Sequence, residues 1–66
     1  MLKLEPEYLN SAIIGEYQNR LVYEYDRIVD SYMTNEDWDY DSTLDWVEFN
    51  TIRALPYIGD GAPIIV

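Results

Sequence analysis

The apolar positions of this chain come as short runs toward its ends, with a helical rhythm between them. Ala12-Ile13-Ile14 is an apolar run closed by Gly15. Leu21-Val22-Tyr23 is a second β-prone run beyond the polar stretch Glu16 to Arg20, in which Asn19 suits a turn. Two such runs on either side of a polar turn predict a β-hairpin. From Tyr25 the spacing changes: Tyr25, Ile28, Val29 and Tyr32 recur on one face of a helix, with Asp30 turned away. Asp26 is placed to cap that helix through its side-chain oxygen, and the helix should end near Met33 to Asn35.

A second helix is signalled by Ser42 with Asp45 three residues later, a pairing like a capping box, and by Pro56 as a stop. It should run from about Thr43 to Leu55. At about 100° per residue, Leu44, Val47, Thr51, Ala54 and Leu55 cover one side, while Asp45, Trp46, Phe49, Asn50 and Arg53 occupy the other. Apolar side chains thus fall on both sides. Aromatic residues are more often buried than not, which favours Trp46 and Phe49 completing a small core under a neighbouring strand. The other reading is a partner-binding face, since Trp and Arg are the residue types that dominate interfaces.

The last ten residues, Tyr57 to Val66, read as a glycine turn (Gly59-Asp60-Gly61) followed by a strand. Paired with the hairpin, that strand completes a three-stranded sheet; paired across a two-fold axis, it builds a homo-oligomer. The pattern alone does not choose. No internal repeat or linker divides the chain, so residues 1–66 are expected to form a single small α+β domain: an N-terminal β-hairpin, two helices and a C-terminal strand.

Length then limits what such a fold can do by itself. A domain of 66 residues buries only about 60% of the surface its unfolded chain exposes, so its core is thin. With no cysteine, disulfides cannot reinforce it, which leaves a metal, self-association or a larger partner. Ten aromatic residues within 48% apolar content still supply enough hydrophobic surface to fold despite the charge. Thirteen acids against four bases (Lys3, Arg20, Arg27 and Arg53) give a formal charge of -9. That balance repels nucleic acid phosphates and anionic membranes and favours a basic protein surface or a cation. MLKLEPEYLN lacks the apolar stretch of a signal peptide, and no run of about twenty apolar residues could span a membrane, so a soluble cytoplasmic protein is expected.

The charge is not spread evenly. Between Asp30 and Glu48 lie seven carboxylates and no base. Counted from Asp37, acids fall at positions 1, 3, 5, 9 and 12, with Thr43 at position 7 and Leu44 at position 8, the ligand order of an EF-hand loop. Asp37, Asp39, Asp41, the Thr43 carbonyl and a bidentate Glu48 could supply six oxygens to calcium, with Asp45 acting through water. The departure is Ser42, where such a loop uses glycine for a positive φ. Helix capping by Ser42 also competes, because it starts a helix inside the loop.

Without a metal, Asp41, Asp45 and Glu48 form an i, i+4, i+7 stripe beside Asp37 and Asp39. A row of carboxylates can imitate phosphates, and with aromatic anchors it could occupy the basic groove of a protein that handles nucleic acid. On this reading the partner-binding residues are Trp38, Asp39, Tyr40, Asp41, Asp45, Trp46 and Glu48. A merely solvated acidic face is the plain alternative. Catalysis is not expected: histidine and cysteine are absent, Lys3 is the sole lysine, and Ser11, Ser31 and Ser42 have no base in the sequence to activate them.

Ala12-Ile13-Ile14-Gly15, then Val22-Tyr23-Glu24-Tyr25-Asp26 leading into a helix, then Trp46-Val47-Glu48-Phe49-Asn50, and finally Gly59 with Ala62-Pro63-Ile64 make a set. As a set they resemble a group of short uncharacterised bacteriophage proteins, over most of the chain from Ala12 onward. The resemblance implies a phage origin and a host cytoplasmic location, and it transfers no catalytic residues. It also implies an ordinary acidic helix entrance where the calcium pattern lies. By analogy with small acidic phage inhibitors of host nucleases, restriction systems and CRISPR effectors, it points to a non-enzymatic protein that binds and blocks a host target. An EF-hand-like calcium protein and a structural homo-oligomer built through the C-terminal strand are the alternatives.

Overall fold

The computed structural model describes residues 1–66. A 3-10 helix, Glu7–Ala12, leads into strand β1 (Ile13–Tyr17), which turns back as β2 (Arg20–Tyr23). Helix α1 (Tyr25–Glu36) follows, then α2 (Tyr40–Trp46), whose π-helical continuation is Val47–Ile52, then a one-turn helix α3 (Leu55–Ile58) and strand β3 (Ile64–Ile65). The sheet order is β1-β2-β3. This is the expected α+β fold, with the hairpin, both helices and the terminal strand in place.

The hairpin is tighter than its polar stretch suggested. Only Gln18 and Asn19 form the loop, both at positive φ (50° and 63°), as the two-residue turn that matches strand twist requires. Tyr17 faces Arg20, and a register shift between Ile13 and Gly15 bulges Ile14 out of the ladder. On the other side of β2, β3 runs parallel, Val22 opposite Ile64 and Tyr23 opposite Ile65. The bonding continues past the strand, with Val66 N–H donating to the Tyr23 carbonyl and Tyr25 N–H to that of Val66, each at 2.9 Å. The pairing that the sequence left open is made within the chain. Gly59 and Gly61, at φ 84° and 85°, take the left-handed backbone that brings β3 back.

The helical expectations hold in their faces and shift at their ends. Ile28, Val29 and Tyr32 of α1 are buried and Asp30 is exposed, as the spacing predicted. Asp26, however, lies in the first turn; Glu24 is the N-cap and makes no side-chain cap bond. The second helix begins three residues early, because Asp39 caps it: its carboxylate accepts from Ser42 N–H at 2.8 Å. Both residues are good caps, and the carboxylate three positions upstream captures the serine's own N–H. Nor does Pro56 stop this helix. The helical run ends at Ile52, a turn over Arg53 and Ala54 intervenes, and Pro56 sits in the first turn of α3, where its missing N–H costs nothing.

The core gathers side chains from the N-terminal segment, the 3-10 helix, β2, α1 and Val47, with α1 packed against the 3-10 helix. Leu4, Leu9, Ala12, Leu21, Tyr23, Ile28, Val29, Tyr32 and Val47 form it. Leu9, Ile28 and Val47 are fully enclosed, and each such side chain stabilises the fold by about 1.5–3 kcal/mol. The Tyr23 hydroxyl, buried with the ring, accepts from Leu4 N–H at 2.9 Å and so ties the first residues to β2. Fourteen of the 66 residues are buried, so each carries a large share of a small total.

Candidate functional site

The seven carboxylates between Asp30 and Glu48 are all exposed. The molecule's single salt bridge, Glu24 to Arg27 at 3.2 Å, lies outside that segment. The other arginines are also engaged elsewhere, Arg20 donating from Nε to the Ala62 carbonyl and Arg53 lying over the Phe49 ring at 5.2 Å. The acidic segment therefore presents its charge to solvent without internal neutralisation.

The twelve-residue calcium loop is not formed. Of its span only Asp37, Trp38 and Asp39 lie outside a helix; Asp41, Thr43 and Asp45 are in α2, and Glu48 is in its continuation. Asp39 is occupied by the cap, the Thr43 carbonyl accepts Val47 N–H, and Glu48 accepts the Tyr25 hydroxyl at 3.2 Å. No three acidic side chains are gathered around a common point. Asp37, Asp39, Asp41, Thr43 and Glu48 are thus not gathered as an EF-hand set in this conformation: Asp41, Thr43 and Glu48 lie along the helical run that grows from the Asp39 cap.

Trp46 and Phe49 are not core residues. They are 44% and 66% exposed, and Tyr40 is 56% exposed. Helix α2 packs on α1 and not on the sheet, which leaves the Trp46 and Phe49 side uncovered. Trp38 is half-buried and begins a train of rings: it stacks on Tyr32 at 5.5 Å and 8°, and Trp46 meets it at 5.2 Å and 60°. Tyr32 in turn takes Tyr8 edge-on at 5.7 Å and 89°.

These four rings, with Glu5, Glu36 and Asn50, line an open cavity of about 510 Å³. The Tyr8 hydroxyl donates to Glu36 Oε2 at 2.6 Å, joining the 3-10 helix to the last turn of α1 across the cavity wall. Burial, reinforced by that bond and by the Glu36 charge, holds the Tyr8 phenol far above its usual range, so it stays a donor. Burial and the Glu48 carboxylate likewise raise Tyr25. The Ser42 N–H on its carboxylate holds Asp39 below the usual Asp range.

The predicted partner-binding residues therefore divide. Trp38 and Trp46 share the aromatic cavity, whereas Asp45 and Trp46 join Ser42, Phe49 and Asn50 around a neighbouring depression of about 570 Å³. Tyr40 and Asp41 stand exposed at the start of α2, Asp39 caps that helix, and Glu48 is drawn toward Tyr25. Sequence reasoning missed Tyr8, Glu36 and Glu5 and read Tyr32 as core alone; Tyr8 and Glu36 are 28 residues apart, and no local pattern joins them. Compared with protein-family models, curated proteins and solved structures, the chain matches none.

Proposed function

We propose that this protein acts by binding a basic surface of another protein through the α1–α2 corner and α2, using Trp38, Tyr40, Asp41, Asp45, Trp46 and Glu48, without chemistry of its own. The observation that carries the reading is the coincidence, on one acidic segment, of seven exposed carboxylates without a salt-bridge partner and two exposed aromatic rings, Tyr40 and Trp46, with Phe49 just beyond. Charge of one sign steers a basic partner at long range, and ring burial then supplies the short-range energy. In the phage setting implied by the sequence resemblance, the partner is a host protein whose groove holds nucleic acid, and the carboxylates stand in for phosphates. No helix is long and apolar enough to cross a membrane.

The test is capture of partners from host lysate, followed by binding kinetics at low and high salt. The association rate should fall steeply as salt rises, DNA should compete, and Asp41→Lys with Asp45→Lys should slow association far more than Asp26→Lys. A complex indifferent to salt and to the double substitution would remove this reading.

A further inference from the structure

Resting on that reading of a basic protein partner, we propose that the cavity between the 3-10 helix, the end of α1 and α2 receives an arginine side chain of the partner. Its walls are Tyr8, Tyr32, Trp38 and Trp46, and Glu5 and Glu36 bring carboxylates to the same space. A guanidinium is the cation whose shape suits both: its flat faces lie on aromatic rings, and its edge donates to carboxylate oxygens in the same plane. A lysine ammonium has no such face and holds its water more tightly.

Tyr32 and Trp38 close one pair of faces by stacking, whereas Trp46 stands across them at 60° and remains 44% exposed. Glu36 is held by the Tyr8 hydroxyl on Oε2, which leaves Oε1 for a second donor. None of the chain's three arginines fills the space: Arg20 is bonded to Ala62, Arg27 is paired with Glu24, and Arg53 lies on Phe49. At about 510 Å³ the cavity falls in the size range of ligand sites, with room for the side chain and part of its backbone.

The experiment is an NMR titration of the whole chain, following its backbone amides and the indole N–H signals of Trp38 and Trp46, with three capped glycine-flanked peptides carrying arginine, lysine or citrulline. Citrulline keeps the planar shape and loses the charge. Saturable shifts at both indoles are expected with arginine, several-fold weaker binding with lysine, and none with citrulline. Glu36→Gln and Trp46→Ala should each weaken arginine binding by about threefold or more, the size of one exposed cation–π or charged contact. Asp26→Asn removes one carboxylate away from the cavity and should leave it unchanged. Equal binding of citrulline, or equal weakening by Asp26→Asn and Glu36→Gln, would overturn the cavity assignment. Shifts confined to Tyr40, Asp41 and Asp45 would also overturn it while leaving the acidic-surface reading intact. No response to either cationic peptide anywhere on the chain would count against both.

Discussion

The sheet with α1 and the acidic corner with α2 both carry large apolar residues and bury them to different extents. In the first, Leu21, Tyr23, Ile28 and Val29 are enclosed, and the Tyr23 hydroxyl is answered within the fold by Leu4 N–H. In the second, Val47 is fully buried, but Trp46 and Phe49 meet solvent among unpaired carboxylates. Stability is thus concentrated on one side of a small molecule, and the other side keeps aromatic surface that folding does not use.

The contrast can be broken most sharply by truncation. Ile28→Ala should cost about 2–5 kcal/mol, a large part of what a domain this size has, whereas Phe49→Ala should stay within about 0.5 kcal/mol. Denaturant melts of the two variants side by side test it, and comparable losses would mean that the exposed ring stabilises the fold. Next in size, Tyr23→Phe leaves Leu4 N–H buried without an acceptor and should lower stability by about 1–3 kcal/mol, with faster amide exchange through the N-terminal segment.

Asp37 joins the two regions and sharpens the comparison. It ends α1 at φ 58° and ψ 42°, a left-handed backbone that aspartate tolerates and a β-branched residue does not. Asp37→Val should therefore cost about 1–2 kcal/mol, while Asp37→Asn, with the same loss of charge, should cost little. Equal effects of the two would assign the role to the carboxylate and not to the backbone.

The smallest effect concerns alkali. The Tyr8 phenol is raised in the folded state, so its contribution is fully present below the ordinary tyrosine value of 10.0. It should fall away as pH rises from there toward the folded value, because the unfolded chain releases that proton first. A stability profile across that window should be steeper for the native chain than for Tyr8→Phe. Parallel profiles would show that the Glu36 bond does not hold the phenol's proton.

Much of the first region is legible in sequence because its signals are local. Two β-prone runs flank a turn residue, and α1 repeats its apolar positions at helical spacing. The N-terminal segment gave no such signal: Leu4 and Leu9 become core through contacts with β2 and α1 that periodicity cannot foresee. In the second region two local rules competed over the same residues. Asp39 and Ser42 both suit an N-cap, and the alternating acids from Asp37 suit a metal loop; cooperativity decided, since a helix nucleated at Asp39 extends at little further cost. The acidic segment itself was visible as composition. The cavity was not, because it depends on Tyr8 and Tyr32 meeting Trp38 and Trp46 across three separate elements.

The two indoles have an optical consequence. Held 5.2 Å apart with a 60° twist, Trp38 and Trp46 couple their electronic transitions, so they should contribute a paired band of opposite signs to the ultraviolet circular dichroism, distinct from the backbone helix signal. Because one ring sits just after α1 and the other ends α2, that band reports how the two helices meet. A partner that parts the indoles would erase it while the helices themselves stay intact.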